Sequence, residues 1–189
     1  MPQPPDTDDA LGAVLLARAR TAIARELGAA APALPDDPAL EQRGATFVTL
    51  KKHGELRGCI GSLRAQRPLG EDVAANAVAA ATRDPRFPPL MAKELAEVDI
   101  EVSLLSEPEF LDFADEDDLL AQLRPFEDGL ILFAGCRSAT FLPQVWEQLP
   151  EPRRFLAALK QKGGLPPDYP VSQLMAARYH VRKWHEKNR

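Results

Sequence analysis

The chain has 189 residues, 45% apolar and 27% charged, which suits one compact domain or two closely joined lobes. Its 23 Lys and Arg against 28 Asp and Glu leave a formal charge of -5, excluding an overall basic field that would draw it to nucleic acid or an anionic membrane. Two cysteines supply neither a dense disulfide framework nor a four-thiolate zinc site, and they suit a reducing compartment.

No run approaches the roughly 18 uninterrupted apolar residues of a membrane span. The acidic opening MPQPPDTDDA lacks the basic-then-apolar order of a secretory signal, so a cytoplasmic protein without a membrane or nucleic-acid partner is expected. Charge is uneven along the chain. Residues 151–189 carry nine Lys or Arg against three Asp or Glu, whereas the first 150 carry 14 against 25.

Residues 1–8, rich in Pro and Asp, read as a flexible N-terminus. Leu11, Val14, Leu15, Ala19, Ala22, Ile23 and Leu27 recur at helical spacing, predicting a helix over 9–27 capped by Asp8 or Asp9 and stopped by Gly28. Pro32, Pro35 and Pro38 then impose a loop. The period changes to two in ATFVTLKK and ELRGCIGSL, two strands joined around Lys52-His53-Gly54-Glu55, where Gly54 supplies the positive φ of a hairpin turn. An alanine-rich helix is expected over 69–83, ended by the three prolines of DPRFPPL.

VDIEVSLLS is the clearest strand, with Val98, Ile100, Val102 and Leu104 on one face and Asp99, Glu101, Ser103 and Leu105 on the other. An acidic connector with a helix follows, and a domain split near 105–128 or a surface excursion of one domain both fit it. GLILFAG is a further strand, with a second hairpin around Gly135-Cys136-Arg137-Ser138 leading into ATFLPQVW. EPRRFLAALKQKGG predicts a helix with Phe155, Leu156 and Leu159 inside. Residues 179–189 read as a basic C-terminal tail, helical or partly extended. Mixed hairpins and helices without a regular strand-helix-strand series define an α+β fold.

The densest chemistry lies in LRGCIG, Leu56 to Gly61. Arg57 and Cys59 share strand parity, so the guanidinium can stabilise a thiolate or hold an anion, while Gly58 and Gly61 permit bends or close ligand approach. The competing reading makes Cys59 a small core hydrophobe and Arg57 a brace for the hairpin. His53 can serve as base to Cys59 or merely shape the turn. Glu101 is a proton acceptor or partner for Arg57 on a two-period strand, against a plain exposed-edge role. Asp84 and Arg86 with Phe87 form a charged rim or a capped prolyl turn. Arg137 beside Ser138 suggests an anion contact. Cys59, Arg57, Glu101 and His53 are therefore the catalytic candidates, and Arg86, Asp84 and Arg137 the ligand-binding ones.

His180 and His185 have no fixed companion, and neither HExxH nor a CxxC pair occurs, so no metal site is assigned. Phosphate-loop, GxGxxG and GxSxG patterns are also absent, and no cofactor is identified.

Taken together, GATFVTLKKHGELRGCIGSL, DPRFPPL, EVSLL and GLILFAG…ATFLPQVW resemble the AMMECR domain family, called AmmeMemoRadiSam system protein A in prokaryotes. The resemblance covers most of residues 10–175 and implies an AMMECR-like domain over 9–178, built as two tightly associated subdomains with a shared cleft. It marks Arg57 and Cys59 as motif residues and Glu101 and Arg86 as contributors to that cleft. It also implies partnership with a Memo-like protein and a radical SAM protein, hence an accessory or substrate-handling role whose cleft receives a small molecule or protein segment. A thiol-dependent transferase or hydrolase using Cys59 is the second expectation, and a structural interaction domain the third. The basic ending departs from the acidic endings of similar sequences.

Overall fold

The computed structural model describes residues 7–31, 33 and 37–186. The N-terminal stretch expected to be flexible falls outside them except for residues 7 and 8. Two compact units divide the chain, one formed by residues up to Leu105 together with those from Arg182 onward, the other by Ser106–Val181.

The first unit opens with helix α1, Thr7–Glu26. Asp8 and Asp9 lie inside it and not before it, so they do not take the expected cap position. Its end is the predicted one: Gly28 has φ +70, its amide bonds Arg25 O at 3.1 Å, and the Ala29 amide reaches Ala24 O at 2.8 Å. These paired bonds satisfy carbonyls that the helix end would otherwise orphan.

Strand β1 is Arg43–Lys52 and β2 is Glu55–Gly61. They pair antiparallel through a tight turn in which both His53 (φ 52) and Gly54 (φ 83) adopt positive φ, the geometry that matches strand twist. A short β3, Arg67–Pro68, pairs with the start of β1. Helix α2, Leu69–Thr82, buries Val73, Ala77, Ala80 and Ala81. Strand β4, Val98–Leu105, lies antiparallel along β1 from Ala45↔Leu105 to Lys52↔Val98. Val48, Leu50, Ile100 and Val102 are fully buried with Leu15, Ala19, Ile23 and Val73 in one core, as the alternation of each strand requires.

The second unit contains β5, Glu109–Leu111, α3, Glu116–Gln122, β6, Gly129–Ala134, β7, Arg137–Phe141, α4, Pro152–Lys162, and β8, Met175–Tyr179. Its antiparallel sheet runs β5-β8-β6-β7. Leu119, Leu130, Leu132, Leu156 and Leu159 pack around Trp146 and Phe155, whose rings stack at 3.7 Å. The last strand, β9, Val181–His185, joins the first sheet, which orders as β2-β1-β4-β9.

The fold is α+β, as the hairpin pattern predicts. Two assignments sharpen. Of the basic segment read as helical or partly extended, the described part is extended: Tyr179 ends β8 and residues 181–185 form β9. The acidic connector includes the short β5, which has too few residues to show a period. No described helix is long and apolar enough to cross a membrane.

Candidate functional site

Cross-strand pairing aligns Cys59 with Thr49 and Thr49 with Glu101. Directly paired residues point to the same side of a sheet, so these three form a row on the face opposite the core residues Val48 and Leu50. The Thr49 hydroxyl lies 3.3 Å from Cys59 Sγ. Glu101 is two strands from Cys59 and forms its own pairs, with Lys51 Nζ at 3.3 Å and Lys183 Nζ at 4.0 Å.

The β1–β2 ladder slips between Leu50 and Lys51, with Leu50 opposite Gly58 and Lys51 opposite Leu56. Arg57 is the extra residue of this bulge. Bulges re-aim a side chain, and here the Arg57 guanidinium goes to Glu94, with Nη2 to Oε2 at 3.2 Å and Nε to Oε1 at 3.5 Å. Arg57 is only 13% exposed. The expected partnerships of Arg57 with a Cys59 thiolate or with Glu101 are therefore replaced by a fixed ion pair. The Met91 amide, then Arg57 and Lys52, hold the Glu94 carboxyl at about 2, below its ordinary value.

Gly58 and Gly61 have packing reasons. A Cβ on Gly58 would sit 2.2 Å from the Ala80 carbonyl oxygen of α2, and one on Gly61 would meet the Phe47 ring. The glycine at 58 lets helix and strand approach closely.

Asp84 is the pin of the DPRF segment. Its buried carboxylate accepts the Cys59 amide at 2.8 Å, the Arg86 amide at 3.1 Å, and the Arg86 guanidinium at 3.0 and 2.7 Å. Arg86 holds its carboxyl well below the usual range, with the two amides adding to the effect. Arg86 also donates to Cys59 O at 3.3 Å, and its guanidinium stands 5.5 Å over the Phe87 ring. Capped turn and charged rim are thus one arrangement, clamped onto the backbone of Cys59.

His53 does not join this group. It caps the hairpin at 73% side-chain exposure beside Glu97 Oε2, 3.3 Å away. It lies in the turn beyond the end of β1, four positions past Thr49, the cross-strand partner of Cys59, so the fold does not bring it into the Cys59 row. Arg137 belongs to the second unit, where Nη1 donates to Gly164 O at 2.8 Å and ties β7 to the turn after α4. Among the described residues no group of three or more His, Cys, Asp or Glu could hold a metal ion.

Sequence reasoning missed a buried polar network at the other end of β1 and β2. Asp72, 1% exposed, accepts the Thr46 amide and hydroxyl at 2.8 and 2.7 Å. It also accepts Ser62 Oγ at 2.7 Å, Arg67 Nε at 2.9 Å and Asn76 Nδ2 at 2.9 Å. The available signal was Asp72 and Asn76 at i and i+4, on a face of the alanine-rich helix that otherwise reads as apolar.

The AMMECR1 family model matches residues 16–184. A protein of Methanothermobacter thermautotrophicus is 39% identical over 93% of this chain and 94% of its own. One from Methanopyrus kandleri is 38% identical over 84% and 79%. The crystal structure of an uncharacterized protein from Pyrococcus horikoshii is similar at TM-score 0.79 and 31% identity, covering 94% of this chain and 92% of that one. With the LRGCIG bulge, the DPRF clamp and the strand pairing all lying within the matched residues, the chain belongs to the AMMECR1 family.

Proposed function

We propose that this protein is an accessory or substrate-handling component of a Memo-like and radical SAM modification pathway, binding a small molecule or protein segment without covalent chemistry at Cys59. The observation that carries the noncovalent part is the commitment of Arg57 to Glu94. A thiol catalyst needs a base or cation at its sulfur, whereas the polar partner of Cys59 Sγ among the described residues is the Thr49 hydroxyl, and His53 lies at the hairpin turn. Satisfied hydrogen bonds around the Cys59 backbone favour a preformed recognition surface. The pathway assignment rests on family resemblance.

The test is affinity capture of the full chain by purified Memo-like and radical SAM proteins from the same genome. Saturable binding that survives Cys59→Ser and weakens in Glu101→Gln, with stability unchanged, is the expected result. Turnover through a stoichiometric Cys59 adduct would replace this reading with the thiol-dependent transferase or hydrolase. Absence of both would leave a structural interaction domain.

A further inference from the structure

A second site lies where β2 leaves the sheet. Gly61, Ser62, Leu63, Arg64, Gln66 and Arg67, with Asp72, line a cavity of about 620 Å³, a volume that accommodates a metabolite-sized ligand. Arg67 is a wall residue whose orientation is set by Asp72: Nε bonds the buried carboxylate at 2.9 Å, and Nη2 stands 3.4 Å from Ser62 Oγ and 3.5 Å from Asn76 Oδ1. The Arg67 side chain is nonetheless 41% exposed.

Asp72 is saturated by donors, so it is not a free acceptor for a cationic ligand. Arg64, also on the wall, has no ion pair or side-chain hydrogen bond among the described residues. Arg43 adds a third guanidinium to the same loop through Nη1 and Gln66 O, 2.9 Å apart. A chain of net charge -5 thus places three arginines, Arg43, Arg64 and Arg67, at this segment, with the carboxylate that lines the cavity, Asp72, buried and occupied. A loop tie alone would use Arg67; it does not account for an unpaired Arg64 on the same cavity wall.

We infer that this cavity binds a small oxyanion-bearing molecule, a phosphate or carboxylate, with pre-oriented Arg67 and the free Arg64 guanidinium as its cationic contacts. Guanidinium groups pair with both anions through paired N–H donors. The inference is independent of the pathway reading and of the Cys59 face.

The experiment titrates the full chain with inorganic phosphate and, separately, succinate at matched ionic strength, following backbone amide resonances. Saturable shifts confined to residues 61–72 are expected. Arg64→Gln should weaken them about tenfold, the scale of one lost charge-assisted contact, while leaving the remaining spectrum and stability unchanged. Cys59→Ser should bind normally. Preference for phosphate or succinate would identify the anion class. Shifts that fail to saturate, that spread over the surface, or that persist in Arg64→Gln would overturn the site. Because the Arg64 side chain makes no hydrogen bond or ion pair among the described residues, its replacement is not confused with misfolding.

Discussion

The two ends of the β1–β2 ladder use ion pairs differently. At the hairpin end, Lys52 reaches Glu94 and Glu97, His53 reaches Glu97, and Arg57 reaches Glu94, all at partly or fully exposed positions. At the opposite end one carboxylate, Asp72, is buried and collects donors from β1, from Ser62 just after β2, from β3 and from α2. Charge density is higher at the first end, yet the second carries more consequence. A pair shared among partly exposed groups loses less with one partner than a buried hub, whose removal leaves several desolvated groups unsatisfied.

Asp72→Ala is the sharpest way to break this comparison. It leaves Thr46, Ser62, Arg67 and Asn76 without their common acceptor and should cost about 3–5 kcal/mol in urea unfolding. A loss smaller than that of Glu94→Gln would reverse the contrast. Gly58→Ala probes the region between the two ends. The new methyl meets the Ala80 carbonyl oxygen, so a loss of about 3 kcal/mol is expected, with a lowered thermal midpoint as the measure.

Glu94→Gln comes next, at about 1–2 kcal/mol, because it removes the charged acceptor of Arg57 and Lys52. Its pH behaviour sharpens the point. The folded Glu94 carboxyl sits at about 2 against an ordinary 4.5, so its contribution is fully present above 4.5 and is lost as pH falls towards 2. Asp84 has the same sign. Denaturation midpoints between pH 4.5 and 2 should fall less steeply in Glu94→Gln than in the native chain; an unchanged slope would remove Glu94 from the acid-sensitive set. The smallest effect belongs to His53→Ala. Stability should change by less than about 0.5 kcal/mol, and the iodoacetamide rate at Cys59 should not move. A slowed rate would restore His53 as a partner of the thiol.

Much of the architecture was legible locally. Gly28 and Gly54 announced a helix stop and a turn because positive φ carries a strong residue preference, and the strands around Val48 and Ile100 showed their buried face by alternation. The candidate site was legible only in part. Asp84, Arg86 and Cys59 do meet, but the reason is a backbone amide of Cys59, which carries no side-chain signature. Arg57 matched the parity of Cys59 until the bulge diverted it to Glu94, 37 positions away. The three-residue β5 was too short to show alternation, and β9 in a basic segment drew its strand character from the ladder it joined.

What this sequence determined by itself was what depends on near neighbours: periodicity, turn chemistry, helix ends, and family membership through motifs spread along the chain. Tertiary structure decided which partner each charge received. Arg57 to Glu94, Cys59 to Asp84 and Thr46 to Asp72 are all contacts across distant segments, and their strength follows from burial and geometry created only when those segments pack.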